Sequence, residues 1–291
     1  MSTAPGRPQA NSHSRSQGEG TPARTAPGAD AASPTLVGLA PGKLFLVPAP
    51  LDHGCRELAP LQDVMPVATL SAAARLQYWI TENARSTRAY LARVDALQPL
   101  AHKLQELHIQ ELPRAVHKKG DHKGEFDARP LLAPALSGHD VGLVSEAGMP
   151  AIADPGSSVV RAAHDLGLSV VPLVGPASLL LALAASGLNG QNFAFVGYLP
   201  QDPAARARRV RELEAMALKA GQTQLFIETP YRNAALMKTL LQTLAPATRL
   251  AVSSGLTLPV ECTRCASVAR WRDGRWSPPD NSTPAVFAIG R

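Results

Sequence analysis

The sequence has little cysteine and none of the short fingerprints that announce a phosphate site or an activated nucleophile. Cys55, Cys262 and Cys265 are its only three cysteines, an odd, low count that argues against a disulfide framework and for a reducing compartment. Cys262-Thr-Arg-Cys265 has neither a second pair nor a nearby histidine to complete a tetrahedral site, so it reads as two strand residues and no metal is expected. No G-x-G-x-x-G follows a strand, which leaves a dinucleotide oxidoreductase without support, and no G-x-x-x-x-G-K-[ST] occurs. G-x-S-x-G and H-E-x-x-H are missing as well. Arg7 and Arg15 are not followed by an apolar core, so no secretory signal is expected. Leu168–Leu188 approaches membrane-spanning length, but Pro172, Gly175, Pro176 and Ser178 break it into a strand, a turn and a helix start. The expectation is a cytoplasmic protein with no membrane span.

What is present suits a globular α/β chain: 291 residues, long enough for two domains of ordinary size, with 45% hydrophobic content. A formal net charge of +6 favours an anionic partner, nucleic acid first among them. Residues 1–41 are rich in Ser, Pro, Gly, Ala and Arg, cannot bury enough apolar surface to offset their ordering entropy, and read as a disordered tail. Structure is expected to begin at Lys43-Leu-Phe-Leu-Val47, a strand stopped by Pro48 and Pro50. A short helix over Leu58–Val64 and strands over Leu76–Ile80 and Leu107–Leu112 follow. Between the strands lies an amphipathic helix capped by Ser86 or Thr87. Arg114–Gly124 reads as a basic loop, Glu125–Leu136 and Ser157–Leu166 as helices, and Val141–Ser145 and Ser169–Leu173 as strands. This alternation is the signature of βαβ units on a parallel sheet.

Beyond Gly175-Pro176 come a helix over Ala177–Ala185, a strand at Phe193–Val196, and a helix over Pro203–Ala220. The four arginines Arg206, Arg208, Arg209 and Arg211 of that last helix form a candidate polyanion contact. Gln224–Ile227 reads as a strand leading to a further helix. The last third changes to paired strands at Arg249–Ser253, Pro259–Val268 and Ala285–Ile289, with Asp273-Gly274 as a hairpin signal. A boundary near Leu173–Gly175 divides the ordered chain into residues 42–174 and residues 175–291.

Two loops carry the functional signal. Val141–Gly156 and Val171–Ser178 are short β-branched runs that stop at Gly, Pro, Ala and isolated carboxylates, at the strand ends where open α/β sheets place ligands. Glu146 and Asp154 in one loop and Glu228 in another suit ribose hydroxyls or a cationic ammonium better than a polyphosphate, and small residues let backbone approach a flat base.

Ser145-Glu-Ala-Gly-Met-Pro-Ala-Ile-Ala-Asp-Pro-Gly156, Pro172-Leu-Val-Gly-Pro-Ala-Ser178, Gly197-Tyr-Leu-Pro200 and Ile227-Glu-Thr-Pro-Tyr-Arg232 together resemble the tetrapyrrole-methylase superfamily. Within it the chain is most similar to the ribosomal RNA small subunit methyltransferase I family, from about Lys43 through Glu261. The resemblance implies two αβα domains, a homodimer, and S-adenosylmethionine folded into the cleft between the domains. Carried over by position, Pro48, Pro50, Glu146, Ala147, Gly148, Gly175, Pro176, Ser178, Leu199 and Pro200 line that cleft. Glu228, Pro230 and Arg232 match a family E-S-P-H-R element. The family's E-D-T-R-x-T reads Glu82-Asn-Ala-Arg85-Ser-Thr87, keeping Glu82, Arg85 and Thr87 for the catalytic region. Its R-E-L-T-K-x-x-E reads Ser254-Gly-Leu-Thr257-Leu-Pro-Val-Glu261, keeping Thr257 beside the cofactor and Glu261 in catalysis. The acceptor expected is RNA, at a ribose hydroxyl. A small-molecule methyltransferase of the same fold and a non-catalytic paralogue stand as alternatives, prompted by Asn83, Ala84, Ser254, Gly255 and Leu258.

Overall fold

The computed structural model of the protein describes residues 40–52, 54–119, 126–277 and 279–291. The tail expected over residues 1–41 lies, up to residue 39, outside the described residues. The described residues form one compact unit.

In chain order its first half contains β1 (Leu44–Leu46), α1 (Leu61–Val64), α2 (Val67–Arg75), β2 (Tyr78–Thr81), α3 (Ala84–Asp95), β3 (His108–Glu111) and α4 (Arg114–Lys119). It continues with α5 (Ala133–Leu136), β4 (Val141–Val144), α6 (Ser157–Asp165) and β5 (Val170–Pro172). These strands make a parallel five-stranded sheet in the order β3-β2-β4-β1-β5. Parallel strands buried on both faces are continuously apolar, and β4 (Val-Gly-Leu-Val) is buried at every position. One face packs Trp79 against Leu70, Ala73, Leu91 and Val94 of α2 and α3. The other packs Leu44, Ile80 and Leu143 against Leu132, Val159 and Ala163.

The second half contains α7 (Ser178–Ser186), β6 (Phe193–Tyr198), α8 (Pro203–Ala220), β7 (Thr223–Glu228), α9 (Asn233–Thr243), β8 (Arg249–Ser254), β9 (Cys262–Ser267), α10 (Val268–Arg272) and β10 (Ala285–Gly290). Its sheet runs β6-β7-β10-β8-β9, with β6 and β7 parallel and β10 antiparallel to both neighbours. Helices α8, α9 and α10 cover one face through Val210, Leu213, Leu236, Leu240 and Trp271. The other face packs Leu225, Val286 and Ala288 against Ala182 and Leu183 of α7. Each sheet is thus the middle layer of an α/β/α sandwich, the architecture expected.

Several local expectations are corrected. The basic stretch at Arg114 begins as helix α4, because Pro113 ends the preceding strand and opens the first turn, its carbonyl accepting from Val116 N at 2.9 Å. Residues 120–125 of that stretch lie outside the described residues. Where one helix was expected to Leu136, a 3-10 turn (Arg129–Leu132) leads into α5, since Pro130 and Pro134 each remove a backbone donor. Asp273-Gly274 is not a hairpin but the end of α10, where Gly274 N returns to Trp271 O.

Candidate active site

In the sheet order β3-β2-β4-β1-β5 the crossovers leave β1 and β4, which are neighbours, in opposite directions. Their loops therefore lead to helices on opposite faces of the sheet, α2 after β1 and α6 after β4, and the strand ends between them are where such sheets place ligands. An isolated bridge ties the two loops together: Ala49 N and Gly148 O, and Gly148 N and Ala49 O, are each 2.9 Å apart. Gly148 has φ +70°, a left-handed conformation that glycine adopts freely. Ala151 (φ 65°) and Ala153 (φ 66°) follow in the same uncommon region. Three left-handed residues in six hold the β4–α6 loop in a shape that neither helix nor strand would give. Across from it Gly175 lies against Pro48, so closely that a Cβ there would sit 2.2 Å from the proline Cγ.

Between this rim and the second sheet is a cavity of about 440 Å³. Glu82 follows the end of β2, Glu146 and Asp154 lie in the loop between β4 and α6, Ser178 starts α7, and Tyr198 and Glu228 end β6 and β7. Leu51, Ile227, Leu256 and Val286 supply apolar wall. Its charge is one-sided. Burial, and then the charges of Glu82 and Glu146, push the Asp154 carboxyl up to about 7. Burial, followed by Asp154, Glu228 and Glu82, raises the Tyr198 phenol as well. Glu228 has a fully buried side chain. Its Oε1 accepts from Thr229 N at 2.8 Å and from Arg232 Nε at 3.0 Å, while its Oε2 is buried with no partner. A buried carboxylate oxygen left without a donor is costly, and it fits a ligand that brings a hydroxyl or amine.

A second cavity of about 450 Å³ adjoins the first, with Glu146 lining both. Its floor is α3. Asn83 caps that helix, its Oδ1 accepting from Arg85 N at 2.9 Å and Ser86 N at 3.3 Å, with extended backbone before the first turn. Ser86 and Thr87, expected as caps, lie inside the helix and donate back to the Asn83 carbonyl. One face of α3 presents Ser86, Tyr90 and Arg93 to this cavity, at helical spacing. Arg93 Nη2 donates to Asp52 Oδ2 at 3.0 Å and Nη1 to Asp52 Oδ1 at 3.2 Å, a paired and buried carboxylate after β1.

Of the residues expected at the cofactor, Glu146, Ala147, Gly148, Asp154, Ser178 and Glu228 line the first cavity together with Glu82. Pro50 and Arg85 line the second. Pro48 is buried against Gly175, and Pro176 contributes its carbonyl near Gly148. Leu199 belongs to the core on the helical face of the second sheet, with Pro200 next to it, so it is Tyr198 whose side chain reaches the cavity. The period-2 alternation of a strand is the signal that distinguishes the two. Thr257 stands in a left-handed turn after β8, its N–H held at 2.8 Å by the exposed carboxylate of Glu261, and its buried hydroxyl has no partner. Neither Thr257 nor Glu261 lines either cavity. Asp52, Tyr90 and Arg93 were not legible as site residues, because their role comes from a helix face and a loop meeting in space.

Residues 68–268 match the family model of the tetrapyrrole (corrin/porphyrin) methylases. The chain belongs to the tetrapyrrole methylase family. Among its relatives, a "Ribosomal RNA small subunit methyltransferase I" of Xylella fastidiosa is 33% identical over 213 residues, 73% of this chain and 67% of that one. Its counterpart in Vibrio cholerae is 31% identical over 218 residues, 75% and 66% of the two chains. The matches thus span about two thirds of those relatives' length, and 57% of the Escherichia coli O157:H7 relative. The crystal structure of the methyltransferase CobJ superposes with a TM-score of 0.51 over 86% of this chain and 94% of that one, at 17% identity. That likeness shows the tetrapyrrole methylase fold. Among the described residues no group of His, Cys, Asp and Glu could hold a metal, and no helix is long and apolar enough to cross a membrane.

Proposed function

We propose that this chain is an S-adenosylmethionine-dependent methyltransferase acting on RNA, at a ribose 2′-hydroxyl of small-subunit ribosomal RNA. The observation that carries the reading is the acidic cavity at the facing ends of the two sheets, opening beside a second cavity through Glu146. Its residues fit the cofactor. Glu82, Glu146 and Asp154 suit an ammonium and a sulfonium, the free Oε2 of Glu228 suits a hydroxyl or amine, and the apolar wall suits a flat base. The bound cofactor supplies an activated methyl group on a sulfonium, so the protein's part is positioning, desolvation and handling of the acceptor's proton. Glu82, at the end of β2 and directly before the Asn83 cap of the second cavity, is the residue assigned to take that proton. Asn83, where the family pattern has an aspartate, is compatible with this reading, since its side chain is committed to capping α3, a task either residue performs.

The relatives' names and the formal charge of +6 support RNA as acceptor. With it go a cytoplasmic location, a division of the chain into residues 42–174 and 175–291, and a homodimer. Titration calorimetry with S-adenosylmethionine tests the core of the proposal, and absence of binding by folded protein overturns it. Nucleoside mass spectrometry of small-subunit RNA then tests the acceptor. A strain lacking the gene should lose one ribose methylation, the wild-type chain should restore it, and Glu82→Gln should not. An unchanged RNA profile despite cofactor binding would move the acceptor outside RNA.

A further inference from the structure

We propose that the second cavity is the acceptor's pocket and that the Tyr90 hydroxyl is a buried donor within it, made for a phosphate oxygen of the nucleotide being methylated. The inference rests on the methyltransferase reading above and names the residues that would hold its substrate. Tyr90 is 6% exposed, lines the cavity, and has a hydroxyl with no hydrogen-bond partner. A buried phenol normally finds one, because leaving it unmade forfeits the hydration it had in the unfolded chain.

The surroundings say what the missing partner is. The hydroxyl lies in the positive field of Arg93, one helical turn further along the same face of α3. Arg93 itself is spent on Asp52 and on the Ala59 carbonyl at 2.6 Å, so it polarises the site without being free to bind. Arg85 lines the same cavity from the first turn of α3 and is exposed. A donor, a guanidinium and a neutralised ion pair together favour an oxygen acceptor carrying negative charge. The carboxylates at hand are accounted for: Asp52 is paired, and Glu146 stands on the wall shared with the cofactor cavity. At about 450 Å³ the space takes a nucleotide. An acceptor bound there reaches the cofactor's cavity past Glu146, next to Glu82.

The test uses Tyr90→Phe, which deletes one oxygen, in the full chain. Small-subunit ribosomal RNA is one probe, and a mixture of the four nucleoside 5′-monophosphates is the other. Loss of a hydrogen bond to a charged group should weaken binding of the RNA about tenfold or more. S-adenosylmethionine affinity should stay within about twofold, and the melting temperature should hold or rise, because an unsatisfied buried hydroxyl has been removed. Arg85→Ala, on an exposed side chain, should weaken RNA binding in the same way and guards against a Tyr90→Phe protein that fails to fold. Monophosphates that compete with RNA in the wild type but not in Tyr90→Phe would show that a single nucleotide's phosphate suffices; a response confined to RNA would assign the contact to the polymer's backbone. RNA binding unchanged in folded Tyr90→Phe, whatever Arg85→Ala does, or no binding of either probe to wild type, overturns the inference. Wild-type protein that fails to bind S-adenosylmethionine overturns the methyltransferase reading instead.

Discussion

Asp154 shows how one side chain ties stability to ligand choice. It shares a cavity with Glu82, Glu146 and Glu228, and burial followed by the first two of these charges lifts its carboxyl from 3.8 to about 7. A carboxyl raised on folding holds its proton more tightly in the native state. Its contribution to stability is therefore complete below 3.8 and is lost as pH rises through about 7. Melting temperatures measured across that window should fall more steeply with pH in the wild type than in Asp154→Asn, which cannot ionise. A cationic ligand reverses the preference, since it stabilises the carboxylate. S-adenosylmethionine should bind more tightly as pH rises through about 7, with proton release visible as a buffer-dependent calorimetric enthalpy. In Asp154→Asn both effects should shrink together; an affinity with the same pH dependence as wild type would assign the proton to another group.

At the scale of elements, the site depends on loops being brought closer than most side chains allow. Gly175 begins the turn into α7, and a Cβ there would sit 2.2 Å from Cγ and 2.6 Å from Cβ of Pro48, a ring that cannot rotate away. Gly175→Ala should cost about 1–3 kcal/mol in chemical denaturation and weaken cofactor binding, because the loop after β1 must shift to relieve the clash. An alanine variant as stable as wild type would mean that the two loops are not held in register. The sequence made this glycine visible as part of a motif but not the reason for it, which is a contact between segments 127 positions apart (175 less 48). The same contrast runs through the fold. The apolar strands β1, β4 and β5 and the long helix α8, over Pro203–Ala220, were legible; the Asp202 cap and the left-handed Gly221 that bound that helix come from the structure. Helix α2 was not, because alanine-rich Val67–Arg75 owes its buried stripe to the sheet beneath it. The motif loops were legible as a set. Their partners from α3 and β6 were not, since helix faces and strand alternation become a site only when the sheets stand end to end.

At the scale of the whole molecule two surfaces differ from what charge and composition suggest. The four arginines of α8 are not one basic patch. Arg206 is buried and donates to Thr239 Oγ1 at 3.0 Å, and Arg209 pairs with Glu212 at 3.1 Å. Arg208 and Arg211 remain exposed, too few to form an RNA track. The second surface is the outer face of α7, where the exposed positions Leu180, Leu181, Ala184 and Ala185 are all apolar. Val174, 71% exposed, precedes the same helix. A helix that packs one face on a sheet and shows water an apolar opposite face has the pattern of a covered element. The proposed homodimer would give that face its cover. The wild-type chain should therefore run as a dimer in size-exclusion chromatography with light scattering, and Leu180→Glu with Leu181→Glu should give a monomer with unchanged circular dichroism, because these side chains leave the core of the second sheet untouched. Since α7 also begins at Ser178 on the wall of the first cavity, the monomer should bind S-adenosylmethionine more weakly, because a helix that keeps its fold but has lost its cover holds that wall less firmly. A wild-type monomer, or a double variant that remains dimeric, would take the interface away from α7.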